Sequence, residues 1–309
     1  MKLKKMMALV LCAATVAGLG LTGCGNSDNG AADNAGSAAT ESGSTDSADA
    51  SSDFSGNISV LSREDGSGTR GAFIELFGIE VKNDAGEKED MTTVDATITN
   101  NTEVMMSTVA GNEYAIGYCS LGSLNDTVKA VKIDGAEATT ENVSNGTYKV
   151  SRPFNVAVKK DLDNEAAKDF MSFIMSTEGQ KVVEEAGYIP VSDVQAYAGT
   201  KPEGSVVVGG SSSVSPLMEK LIEAYKKVNP NADIELQTSD STTGMTSTIE
   251  GSYDIGMASR ELKDDEASEL EATVIAVIVN KANTADELSA DQVKSIYVGD
   301  VTTWDEVSK

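Results

Sequence analysis

Three times along the chain, a short β-branched run gives way to a loop of Ser, Thr and Gly and then to a helix start. The first loop, Ser62–Arg70, follows the run Ile58–Leu61 and precedes a stretch bearing Phe73, Ile74 and Phe77. The second, Gly209–Ser213, follows Ser205–Val208 and leads into Pro216. The third, Ser239–Gly244, follows Asp233–Leu236 and precedes Thr246–Ile249. Strand, polar loop and helix in repeated alternation prescribe an α/β architecture. They also place each loop at a helix N-terminus, where unpaired backbone N–H groups and the positive end of the helix dipole favour an anion. Glycine lets the backbone come close, and serine and threonine add donors without charge.

Further strands are expected at Ala115–Tyr118, Val128–Ile133, Asn155–Val158, Asp254–Met257 and Thr273–Val279. The last is nearly all apolar, as a strand buried on both faces would be. Ser215 with Pro216 reads as an N-cap and first helical position. Leu217, Leu221, Tyr225 and Val228 then share a face until Asn229-Pro230 stops the helix. Ser289 with Gln292 forms a capping-box pattern opening a helix through Ile296. Ala166, Phe170, Phe173 and Ile174 make a helical stripe, and Thr177 with Gln180 starts a further helix ending near Gly187. Two stretches lack periodicity: a connector at Ser192–Glu203, and Gly135–Lys149, which reads as a surface hairpin.

The N-terminus follows other rules. Lys2, Lys4 and Lys5 precede an apolar run from Met6 to Leu21, the pattern of an export signal, and one too short for an ordinary membrane span. Leu21-Thr22-Gly23-Cys24 resembles the lipobox of bacterial lipoproteins, which implies a signal over residues 1–23 and lipid on Cys24. Residues 24–55 are mostly Gly, Ser, Ala, Asp, Asn and Thr, a composition expected of a flexible acidic leash. The chain carries a net charge of -25 and no histidine. The charge excludes nucleic-acid binding, which needs a basic face. The missing histidine excludes Ser-His-Asp and Cys-His catalysis and histidine metal sites, so neither an enzyme nor a metal or cofactor is expected. Of three cysteines only Cys119 stays in the body, as a buried inert thiol without a disulfide partner.

Several motifs together carry a resemblance. Ser62-Arg63-Glu64-Asp65-Gly66-Ser67-Gly68-Thr69-Arg70 resembles the signature loop of the phosphate-binding subunit of bacterial ABC phosphate importers. Gly210-Ser211-Ser212-Ser213-Val214, Asp254–Leu262, Ala115-Ile116-Gly117-Tyr118 and Gly187-Tyr188-Ile189-Pro190 are similar to other segments of that family. The resemblance runs from Ile58 to Lys309. It implies a two-domain periplasmic-binding-protein-like fold of type II, with a hinge and an interdomain cleft. It implies phosphate contacts at Arg63, Ser67, Gly68, Thr69, Ser212, Ser213, Ser241, Ser259 and Arg260. Asp65 would orient Arg63 by a salt link or accept the proton of hydrogen phosphate. The partners implied are inorganic phosphate, ABC permease membrane subunits, and the lipid bilayer through the anchor, on the extracytoplasmic face.

Two residues depart from the family pattern. Some members have aspartate where this chain has Ser259, and Asp240 puts an additional carboxylate in the third loop. Both leave other oxyanions such as sulfate or molybdate open. A surface sensor or adhesion protein that keeps the fold but transports nothing is the alternative role. The order of the segments also differs, since the family's Gly-Ser-Ser-Ser-Val segment comes first. The chain is therefore expected to be circularly permuted, with Ser192–Glu203 joining the old ends. Pairing of halves between two chains is the alternative. Permutation implies one domain from residues 56–151 plus 273–309 and another from 152–272. The hinge would then lie near Arg152–Val158 and Thr273–Val279.

Overall fold

The alternation of strand and helix is realised along nearly the whole body. The computed structural model describes residues 54–191, 193–262 and 282–307, and the backbone of 269–279. The expected export signal, Cys24 and all but the last two residues of the linker lie outside the described residues. The first half of the body contains β1 (Ser59–Arg63), α1 (Gly68–Leu76), β2 (Glu80–Lys82), β3 (Lys88–Asp90), β4 (Thr97–Thr99) and α2 (Thr102–Ala110). It continues with β5 (Ala115–Ser120), β6 (Lys129–Ala130), β7 (Lys132–Ile133) and α3 (Thr140–Ser144). Then come β8 (Ser151–Ala157), α4 (Glu165–Ile174), α5 (Thr177–Glu185), β9 (Gly204–Ser211), α6 (Ser215–Val228), β10 (Ala232–Ser239), α7 (Ser241–Glu250) and β11 (Ile255–Ala258). The chain closes with β12 (Glu269–Val279), β13 (Glu287–Leu288), α8 (Ala290–Tyr297) and α9 (Trp304–Val307).

The main sheet runs in the order β10-β9-β11-β8-β12-β5-β1-β4, with β6 also on β12. β10, β9 and β11 are parallel, as are β5, β1 and β4. Between these parallel sets lie β8 and β12, which pair antiparallel with each other. β12 lies along β8 from Glu269 to Val274 and along β5 from Ile275 to Val279, so one strand belongs to both halves. β8 and β12 cover the two segments expected at the crossovers. The side chains of β12 lie outside the described residues.

Among the described residues two large hydrophobic cores form, one on each side of this pair, with a small third cluster of Ala157, Met245 and Ala258. The first gathers Leu61, Phe73, Ile79, Met105, Val109, Tyr118, Tyr297 and Trp304, all at most 2% exposed. The second gathers Phe170, Phe173, Val206, Val208, Leu221, Tyr225 and Met257. The stripe Ala166, Phe170, Phe173 and Ile174 lies on α4 and enters the second core. Leu217, Leu221 and Tyr225 of α6 do the same. The capping box at Ser289 and Gln292 is present at the start of α8.

Some boundaries differ from expectation. α5 starts at Thr177 as expected, with Ser176 as its cap, whereas Ser215 is the first residue of α6 rather than its cap. Gly135–Lys149 holds α3 instead of a surface hairpin, because Thr139 caps a helical turn by accepting from Asn142 N at 3.1 Å. The chain's two ends within the body lie side by side, with Ile58 N donating to Thr302 O at 2.7 Å and Trp304 N to Gly56 O at 2.8 Å.

Cys119 lies in β5 and is fully buried. Burial pushes its thiol up to about 12. Burial thus keeps Cys119 as the neutral thiol at pH 8, the unreactive form. In mature protein carrying Cys24→Ser, Cys119 should resist a thiol–disulfide reagent at pH 8 until denaturant is added. Rapid labelling of the folded chain would contradict its place in the core.

Candidate oxyanion site

The end of β1 is fixed by an aromatic neighbour. Tyr118 stacks on Phe73 at 4.0 Å between ring centroids, which sets the position of its hydroxyl. That hydroxyl accepts from Arg63 N at 3.0 Å and lies 2.9 Å from Ser62 Oγ. Burial pushes the Tyr118 phenol up to about 12, so the group stays neutral in this role. Arg70 braces the loop from outside, donating to Arg63 O at 2.8 Å while paired with Asp90 and Asp65.

Arg63 itself is 2% exposed. Its Nε and Nη2 donate to the two carboxylate oxygens of Glu64, both at 2.8 Å. The salt link expected from Asp65 is therefore made by Glu64. Asp65 pairs with Arg70 at 2.7 Å and its side chain is 98% exposed. The remaining edge of the guanidinium faces hydroxyls, with Nη1 donating to Thr102 Oγ1 and Nη2 to Ser212 Oγ, each at 3.1 Å.

Around this cation four helix beginnings meet. Ser67 caps α1 by accepting from Arg70 N at 3.3 Å, and Gly68 and Thr69 follow as its first residues. A Cβ on Gly68 would collide with Ser241 Oγ and meet Arg260 Cγ at 3.0 Å, so this approach requires glycine. Thr69 Oγ1 lies 2.8 Å from Ser213 Oγ and 3.0 Å from Ser259 Oγ. Ser211 donates to Ser259 Oγ at 2.9 Å, and Ser241 Oγ accepts from Ser259 N at 3.0 Å. Thr102, the first residue of α2, touches Ser212 and Ser213 through its hydroxyl at 3.2 and 3.0 Å. α6 and α7 begin at Ser215 and Ser241, beside the same hydroxyls.

Of the residues expected at the site, the structure brings together Arg63, Gly68, Thr69, Ser212, Ser213, Ser241 and Ser259. Ser67 is adjacent, with its hydroxyl engaged as the α1 cap. Arg260 lies over Gly68 with its stem, and its Nη1 donates to Glu261 O at 3.0 Å. Asp240 caps α7, its carboxylate accepting from Thr243 N at 2.9 Å and Thr243 Oγ1 at 2.5 Å and lying against Gly66. Glu64, Thr102 and Ser211 belong to the cluster and were not anticipated. Asn101-Thr102 carries the Asn cap signal of a helix start, the one hint in the sequence of α2's place here.

A cleft of about 1040 Å³ adjoins the cluster and is lined from both cores, by Asn101, Thr102 and Leu124 on one side and Ser212, Pro216 and Thr238 on the other. Among the described residues no group of His, Cys, Asp and Glu could hold a metal ion, and no helix is long and apolar enough to cross a membrane. The arrangement is a cluster of neutral hydroxyl donors around one compensated guanidinium, chemistry that suits a small tetrahedral oxyanion.

Fold and site together define an α/β binding protein with its polar cluster between two separately packed cores. The chain belongs to the PBP superfamily, matching its domain over residues 42–178 and 195–309. It is 55% identical over 267 residues to the phosphate-binding protein PstS 2 of Streptococcus agalactiae serotype V, covering 84% of this chain and 91% of that protein. It is 42% identical over 313 residues to the phosphate-binding protein PstS 2 of Streptococcus pneumoniae serotype 4, covering 99% of this chain and 100% of that one. The crystal structure of a phosphate-binding protein of a phosphate ABC transporter from Streptococcus pneumoniae matches with a TM-score of 0.64 at 43% identity. That match covers 82% of this chain and 100% of the other.

The two acidic residues of the signature loop should behave differently. Glu64→Ala strips the counter-charge from a buried guanidinium and should cost about 2–3 kcal/mol in a urea unfolding titration. Asp65→Ala removes an exposed pair and should cost less than about 1 kcal/mol. The reverse ranking would contradict the pairing described here.

Proposed function

We propose that this chain is an extracytoplasmic solute-binding protein that captures inorganic phosphate and delivers it to the membrane subunits of an ABC importer. The observation that carries this reading is Arg63, 2% exposed, amid the hydroxyls of Thr69, Ser212, Ser213, Ser241 and Ser259. These are the donors a tetrahedral oxyanion needs, and they come from both cores. The names of its relatives in the two streptococci point the same way. Asp65 and Asp240 are both engaged elsewhere, so discrimination between phosphate and sulfate falls to the hydroxyls, which can donate or accept as the ligand's proton requires.

Residues 56–151 with 273–309, and residues 152–272, would be two bodies that move about β8 and β12. Closure would bury the anion among donors from both. The adjacency of Ile58 and Thr302 supports a circularly permuted chain, since joined ends must lie close. The connector after Ser192 is tied down where old ends would have met, Thr177 N donating to Gln195 O at 2.8 Å and Thr200 N to Asp169 Oδ1 at 2.8 Å. The leader Leu21-Thr22-Gly23-Cys24 supports anchoring by lipid on Cys24.

Calorimetric titration with phosphate, sulfate, molybdate and arsenate tests the ligand. Phosphate should bind, and Arg63→Ala should weaken it about 100-fold, as loss of a buried charge partner does. No heat with any of the four ions would refute the reading, and tight sulfate binding without phosphate binding would refute the choice of ion. For the anchor, Cys24→Ala should shift the protein from the membrane fraction to the medium. Continued membrane retention of that variant would refute lipid attachment at this residue.

A further inference from the structure

α2 begins at Thr102 with Asn101 as its cap, Asn101 Oδ1 accepting from Val104 N at 2.8 Å. The cap occupies one leading amide of the helix and leaves that of Thr102 to find a partner outside it. The Thr102 amide donates to Ser212 Oγ at 3.3 Å. Its hydroxyl lies 3.1 Å from Arg63 Nη1, 3.2 Å from Ser212 Oγ and 3.0 Å from Ser213 Oγ. Thr102 is 3% exposed.

Three nitrogen donors, Arg63 Nη1, Arg63 Nη2 and Thr102 N, therefore end on two hydroxyl oxygens, Thr102 Oγ1 and Ser212 Oγ. A hydroxyl is a neutral acceptor with two lone pairs and a hydrogen of its own to place. An anionic phosphoryl oxygen has no hydrogen, carries charge and forms the shorter, stronger bond to a guanidinium or a helix amide. The α2 dipole acts with the same sign. Resting on the phosphate reading above, we infer that Thr102 is a further phosphate contact. Its main-chain N–H and its hydroxyl donate beside Arg63, so that α2 faces the anion along with α1, α6 and α7. Thr102 belongs to the first core's side and Ser212 and Ser213 to the second's, so this contact also ties capture to the apposition of the two.

The test is a calorimetric phosphate titration of the mature protein as wild type, Thr102→Ser and Thr102→Val, with the thermal midpoint of each recorded without phosphate. Thr102→Ser keeps the hydroxyl and should stay within about threefold of wild type, whereas Thr102→Val, lacking the hydroxyl, should bind about tenfold or more weakly at a similar midpoint. Wild-type affinity in Thr102→Val would overturn the inference. So would an equal loss in Thr102→Ser, since the methyl group rather than the hydroxyl would then matter. If Thr102→Val does not fold, Thr102→Ala takes its place under the same two criteria. A wild type that binds no phosphate would refute the underlying functional reading instead, which keeps the two failures distinct.

Discussion

A guanidinium that is 2% exposed has to be compensated where it lies, and most of the architecture around Arg63 serves that need. Glu64 balances its charge through two bonds of 2.8 Å and holds the planar group edge-on. The other edge is left to hydroxyls from Thr102 and Ser212. A buried charge pair contributes little net stability, and its desolvation can outweigh its attraction. Its value here is geometric, since a guanidinium fixed along one edge presents its remaining donors in one direction. The chain's charge of -25 does not oppose anion capture, because the field inside the cage is set by nearby dipoles and one compensated cation.

The hydroxyl cage can exist only if two parts of the body come together closely, and small residues permit it. Gly68 lies against Ser241 and Arg260, where any side chain would intrude. Within the half that carries β9 and α7, Gly210, at φ +133°, lets the two elements close up, with Gly244 Cα 3.1 Å from the position its Cβ would take. The loops after β1, β9, β10 and β11 thus meet at distances that larger residues would forbid. β8 and β12 run between the cores and are the continuous backbone common to both sides. Separate cores joined by two strands, with polar contacts at their meeting face, are what the proposed closure about β8 and β12 requires.

Much of this was legible in the sequence because local chemistry dictated it. The runs that became β9 and β10, the apolar face of α6 and the capping box of α8 each follow from spacing alone. The Ser/Thr/Gly loops announced helix N-termini, and the structure puts them in one place. Convergence itself was not legible, since no spacing relates Thr69 to Ser213 or Ser259. Thr102 escaped notice because Asn100-Asn101-Thr102 contains neither glycine nor arginine and reads as an ordinary helix start. Glu64 and Asp65 are equivalent on paper as partners for Arg63, since adjacent acids differ in no spacing rule. Only the backbone at the end of β1 decides which one reaches Arg63 and which turns to solvent and Arg70. The short strands β2, β3 and β4 lack the apolar alternation that marks longer ones, and most of their side chains are exposed.

The central claim is that one small anion is held jointly by residues from two separately packed cores. A crystal structure of the mature protein with phosphate measures this most directly. The account predicts a phosphate within hydrogen-bonding distance of Arg63 and Thr69 on one side and of Ser213, Ser241 and Ser259 on the other. A phosphate seated on one core alone, or away from Arg63, would contradict it.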